Sequence, residues 1–197
     1  AAAIAWYMCS PERPLHSAGH NGASLLIDLV IVAALILLNG FLSMSELAVV
    51  SARPARLKVM AGQGVRGAAT AQRLAENAGK FSSSVQTGIT LVGVIEGAFS
   101  GATLGQTLTA WLEAQGMPDR VADTLGVGLV VVVITYISLV IGELVPKQLA
   151  LRHPEQIASR VAPVMAIVAI VAAPIIWLLD NSGKLVLALL RQNGATG

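Results

Sequence analysis

The chain has 197 residues, of which 55% are hydrophobic and 12% charged; its net charge is +2 and its mean hydropathy +0.72. Soluble domains carry about a quarter charged residues, so this composition describes an integral membrane protein of the all-α class. The small net charge and 4% aromatic content argue against nucleic acid as a partner, and a lone Cys9 excludes an internal disulfide or a cysteine-based metal cluster.

Residues 1–23 lack a basic start, and their apolar stretch is short. They read as a leader remnant or a poorly ordered tail outside the fold. A membrane core is expected over 24–150. Its first apolar segment, Leu25 to about Glu46, is long enough to cross a hydrocarbon layer of roughly 30 Å at about 1.5 Å per residue.

A basic connector follows over 51–81, carrying Arg53, Arg56, Lys58, Arg66, Arg73 and Lys80. The second segment, about Ser82 to Leu112, is softened by glycine. Gly93, Gly97, Gly101 and Gly105 recur every four residues, which predicts one small-residue face for close helix packing within a protomer or across a dimer. The third segment, about Asp123 to Val145, is nearly unbroken in its apolarity. A fourth, "VAPVMAIVAIVAAPIIWLLD", has spanning length but contains Pro163 and Pro174.

Lys147, Arg152 and Arg160 follow the third segment, whereas the loop before it holds only Arg120. The positive-inside rule then predicts an outer amino terminus, a cytoplasmic connector and a third helix returning inward. A crossing by the fourth segment would carry Lys184 and Arg191 outside. A kinked hydrophobic element over 151–192, lying along the cytoplasmic side, is therefore the expectation, with a true fourth span as the alternative.

Polar chemistry gathers at one depth. Asn39, Ser43 and Glu46 share a helix face through steps of four and three, whereas Ser43 and Ser45 lie about 200° apart. In "LVIGELVPKQLA", Glu143 ends an apolar run, where a carboxylate costs a few kcal/mol unless partnered. Pro146 has no N–H for the Gly142 carbonyl, so that oxygen is expected to be free. The other reading of this stretch is a helix end in which Glu143 pairs with Lys147 at i,i+4 spacing. Ser84, Gln86 and Thr90 open the second segment. Oxygen donors without sulfur or imidazole favour hard cations such as Mg²⁺ or Na⁺, and Glu46 or Glu96 could balance the remaining charge.

"NGFLSMSELAVVSARPARLK", "VQTGITLVG" and "GELVPKQLALRHPEQIA", in this order, resemble the transmembrane domain of the CorC/CNNM (cyclin M) family. The resemblance implies a dimeric Mg²⁺ transporter of the inner (plasma) membrane, generally an exporter coupled to Na⁺ entry. It implies three membrane-crossing helices per protomer followed by a belt of juxtamembrane helices. It also carries metal-ligand roles onto Ser43 and Glu143. The middle motif falls on Gly88, Ile89 and Thr90, where Ile89 replaces the family's usual asparagine. Thr90 and backbone oxygens near Gly88 and Gly93 are then the expected ligands from the second helix. The cytoplasmic nucleotide-binding CBS modules of full-length members are not encoded here, so ATP binding is not expected of this chain.

Two other classes compete with a transporter. A membrane-anchored Mg²⁺ sensor or dimer scaffold would carry the same site without flux. An intramembrane enzyme is disfavoured, since no histidine lies within a span to activate Ser43 or Ser45, and there is no HExxH.

Overall fold

A computed structural model describes residues 22–192, with side chains described through Ala169, at Leu178 and over 181–185. Residues 1–21 of the expected amino-terminal tail lie outside the described residues. The elements are α1 (Gly22–Ser51), α2 (Pro54–Gly62), α3 (Ala68–Glu76), α4 (Ala78–Ser100), the π-helical turn π1 (Gly101–Gly105), α5 (Gln106–Ala114), α6 (Asp119–Leu139), the π-helical turn π2 (Val140–Leu144), α7 (Val145–Arg152) and α8 (Pro154–Gln192).

Among the described residues, three helical stretches are long and apolar enough to cross a membrane: Gly22–Ser51, Ala78–Ala114 and Asp119–Arg152. The second and third run straight through a π-turn. Each begins earlier and ends later than apolarity alone suggests, because helical hydrogen bonding continues past the apolar window into polar residues. Their outer surfaces are apolar. Leu26, Val94, Val132 and Tyr136 are each more than 60% exposed, a pattern that suits lipid rather than water.

Prolines and glycines place the breaks. Pro54 opens α2, and Arg53 before it is extended at φ −83°, ψ 118°, which stops α1. The stretch expected as a basic connector is thus two short helices. Gly116 in the left-handed region (φ 87°) ends α5, and Pro118 leads into α6 with Asp119 in its first turn. His153 interrupts the helix before Pro154 starts α8. Contrary to a break at its internal prolines, α8 continues as one helix through Pro163 and Pro174.

Two apolar clusters hold the chain together. One joins the basic end of α1 (Leu42, Ala48, Val49) to Leu57, Ala71, Phe81 and Val85, and to Ala158, Ala162 and Met165 of α8. The connector helices are therefore packed elements. Gly67 shows how tightly: it sits at φ 78°, and a Cβ there would run into the Ser159 carbonyl and Pro163 of α8. The second cluster, Val32, Ile36 and Leu104 with Phe99, Val130 and Ile134, lies farther along the bundle.

The glycine series does not form one face. The π1 turn adds a residue to the helical circuit and shifts the register. Gly101 and Gly105 abut Val131 and Val127 of α6, whereas a Cβ at Gly93 or Gly97 would meet nothing within 4 Å.

A candidate cation site where α1 meets a π-turn

On α1, Asn39, Gly40 and Ser43 are all buried, Ser43 completely. The helix brings this stripe against π2, the wider turn that carries Glu143. A Cβ on Gly40 would lie 3.1 Å from Pro146 Cγ, 3.3 Å from the Ile141 carbonyl oxygen and 3.5 Å from Gly142 Cα. Reciprocally, a Cβ on Gly142 would lie 3.3 Å from the Ile36 carbonyl oxygen and 3.4 Å from both Asn39 Nδ2 and Ser138 Oγ. Two glycines are what allow the backbones to touch.

The π-turn relocates the orphan carbonyl. Val145 N–H bonds the Val140 carbonyl, five residues back, and Pro146 has no N–H to give. Both positions that could serve the Ile141 carbonyl are thus spent, and that oxygen is the one beside Gly40. An α-helical register would instead have freed the oxygen of Gly142. Such π-turns recur at functional sites.

Three buried side-chain oxygens have no hydrogen-bond partner among the described residues: Asn39 Oδ1, Ser43 Oγ and Glu96 Oε1. Burial of an unmet polar group costs about 1–3 kcal/mol, so three in one bundle mark a place built for something other than stability. By contrast, Ser45 Oγ donates to the Phe41 carbonyl at 2.6 Å. This satisfied hydroxyl, on the other side of α1 from Ser43, accounts for one of the two serines. Glu46 accepts a hydrogen bond from Ser82 of α4 and clamps the two helices near their basic end.

The residues named from sequence divide into two groups. Ser43 lies one turn along α1 from Asn39 and Gly40, the residues that meet π2, and Glu143 is on that turn. Gly88 is half-buried, with a would-be Cβ 3.7 Å from Leu42. Thr90 and Gly93 are exposed, and Thr90 Oγ1 donates to the Gln86 carbonyl of its own helix at 2.9 Å. The protomer alone therefore does not bring Thr90 and Gly93 to Ser43. Glu143 accepts an ion pair from Lys147 at 2.7 Å, the i,i+4 arrangement of the other sequence reading. The two side chains are 37% and 35% exposed, so the pair is open to exchange with an arriving cation.

Sequence reasoning passed over Ser138. Its Oγ donates to Glu96 Oε2 at 3.0 Å, tying α6 to α4. Glu96 itself is 3% exposed, more enclosed than Glu143. Among the described residues, no three of His, Cys, Asp and Glu gather into a metal-holding group. A cation here would rest on one carboxylate and neutral oxygens.

Residues 30–197 match the sequence model of the cyclin M transmembrane N-terminal domain. The chain is 46% identical over 167 residues to UPF0053 protein sll0260 of Synechocystis, covering 85% of this chain and 37% of that protein. It is 29% identical over 158 residues to UPF0053 protein YhdT of Bacillus subtilis, covering 80% and 34%. It is 24% identical over 167 residues to a polyamine export protein of Escherichia coli, covering 85% and 37%. The chain thus spans little more than a third of the length of these curated relatives. The match over residues 30–197 shows that the chain belongs to the cyclin M family through that family's transmembrane domain.

Proposed function

We propose that this chain is the translocating membrane domain of a Mg²⁺ transporter, an exporter coupled to Na⁺ entry. The observation that carries the reading is the α1 oxygen stripe laid against the π-turn of Glu143, with Ser43 Oγ buried and unpartnered. Ser43, the Ile141 carbonyl and Glu143 supply a hydroxyl, a main-chain oxygen and a charge, the donor types that suit a hard divalent ion. Lys147 holds the carboxylate between ions and competes with the incoming one. A site with one carboxylate and a built-in competitor binds weakly enough to release its cargo.

Gly88, Thr90 and Gly93 contribute from α4 in a dimer. Thr90, Gly93 and Gly97 are exposed along one side of that helix, and the open space at Gly93 and Gly97 suits a second protomer approaching there. The basic residues of α2 and α3 face the cytoplasm, the amino terminus lies outside, and α8 belts the inner face of the plasma membrane.

A second reading has its own support. Glu143 already holds a primary ammonium, that of Lys147, at 2.7 Å, and an organic polyamine presents the same group. The polyamine export protein among the relatives points the same way. A third, the Mg²⁺-stabilised scaffold, differs only in lacking flux. Proteoliposomes separate all three: the Mg²⁺ reading expects Mg²⁺ flux driven by a Na⁺ gradient and unaffected by spermidine. Spermidine flux without Mg²⁺ flux would replace it with the second reading, and saturable binding without flux would replace it with the third.

A further inference from the structure

We propose that Glu96, Ser138 and Asn39 form a second cation site, distinct from the one at Ser43 and Glu143, that takes a bare monovalent metal ion. Glu96 lies within the second spanning helix and is 3% exposed. One carboxylate oxygen, Oε2, accepts from Ser138 at 3.0 Å, and the other, Oε1, is buried without a partner. Asn39, 7% exposed, also has its amide oxygen buried and unpartnered. Ser138 links the two, since its Oγ and Asn39 Nδ2 both stand 3.4 Å from the position a Gly142 Cβ would take.

The ligand class follows from charge and donor type. A carboxylate removed from water must be neutralised by a partner. Lys147, the basic residue of the third span nearest the cluster in sequence, is already engaged by Glu143. Glu96 is enclosed, so its charge must be balanced from within the pocket. An alkali ion leaves the pocket neutral, whereas a divalent ion leaves a surplus charge that a partly exposed site such as that of Glu143 can screen and this one cannot. Amide, hydroxyl and carboxylate oxygens are hard donors, and Gly142 removes the side chain that would fill the space between Asn39 and Ser138. Ser138 precedes Glu143 by five residues on the third span, which places this cluster roughly 7–8 Å farther along that helix. Its use as the coupling site rests on the transporter reading above; its ability to bind the ion does not.

The test is equilibrium binding of radioactive Na⁺ to the full chain purified in detergent, with Mg²⁺ binding measured on the same samples by calorimetry. Saturable Na⁺ binding is expected, weakened roughly tenfold or more in Glu96→Gln, weakened less in Ser138→Ala and retained in Glu143→Gln. Glu96→Gln keeps the shape and removes the charge, and a monodisperse elution profile with unchanged helicity shows that it folds. Unchanged Na⁺ affinity in Glu96→Gln overturns the proposal. So does an absence of saturable Na⁺ binding, or an infrared carboxylic-acid band that disappears in Glu96→Gln but ignores Na⁺, which would assign the site to a proton. Failure of Mg²⁺ binding in the parent chain would count against the transporter reading alone.

Discussion

Gly40 and Pro146 meet so closely that a Cβ on the glycine would stand 3.1 Å from the proline ring. This contact sets the depth at which α1 and π2 share their oxygens. Gly40→Val should therefore push the two helices apart, at an overpacking cost of about 1–3 kcal/mol. Thermal unfolding in detergent should show a lowered midpoint, and calorimetry a loss of Mg²⁺ binding. A normal midpoint with normal binding would mean the contact is not limiting.

Lys147 and Glu143 form a part-buried ion pair at 2.7 Å. If the lysine competes with the cation, Lys147→Met should tighten Mg²⁺ binding, by up to about fivefold for 1 kcal/mol. Calorimetry measures this directly. Weaker binding in the variant would identify Lys147 as a support for the site and remove it as a competitor.

The glycine series supports a paired experiment. Gly105→Leu should destabilise the protomer, since a Cβ there would already sit 3.2 Å from Val127 Cα. Gly97→Leu has open space and should leave protomer stability unchanged while splitting the dimer proposed above. Native mass spectrometry reads the second effect and thermal unfolding the first. A Gly97→Leu protein that remains dimeric would show that the second protomer does not dock on this face.

Ser82 and Glu46 join α4 to α1 at the basic end of the bundle. Ser82→Ala removes the donor and should cost about 1 kcal/mol, measured as a lower unfolding midpoint with Mg²⁺ affinity intact. A selective loss of Mg²⁺ affinity instead would place Glu46 among the ligands.

The three spans were legible because hydrophobic length and the Pro-, Gly- and Arg-rich breaks act locally, through lipid and backbone sterics. Ser43 and Glu143 were legible for a similar reason: a hydroxyl and a carboxylate in an apolar run are conspicuous. The π-turns were not. An extra residue in a helical circuit leaves little trace in a single sequence, yet it decided which carbonyl near Pro146 is orphaned and split Gly93 and Gly97 from Gly101 and Gly105. The Glu96–Ser138 bond depends on the relative register of two helices, and nothing in either segment alone fixes that register. From sequence Glu96 read only as a counter-charge for the cation site, an alternative to Glu46, and Ser138 looked like any serine in a membrane helix.

Magnesium flux through proteoliposomes carrying Glu143→Ala and Ser43→Ala tests the central claim most directly. The account predicts that Glu143→Ala abolishes flux and that Ser43→Ala weakens Mg²⁺ binding, with both proteins folded and inserted as the parent chain is. Parental rates in Glu143→Ala would contradict it.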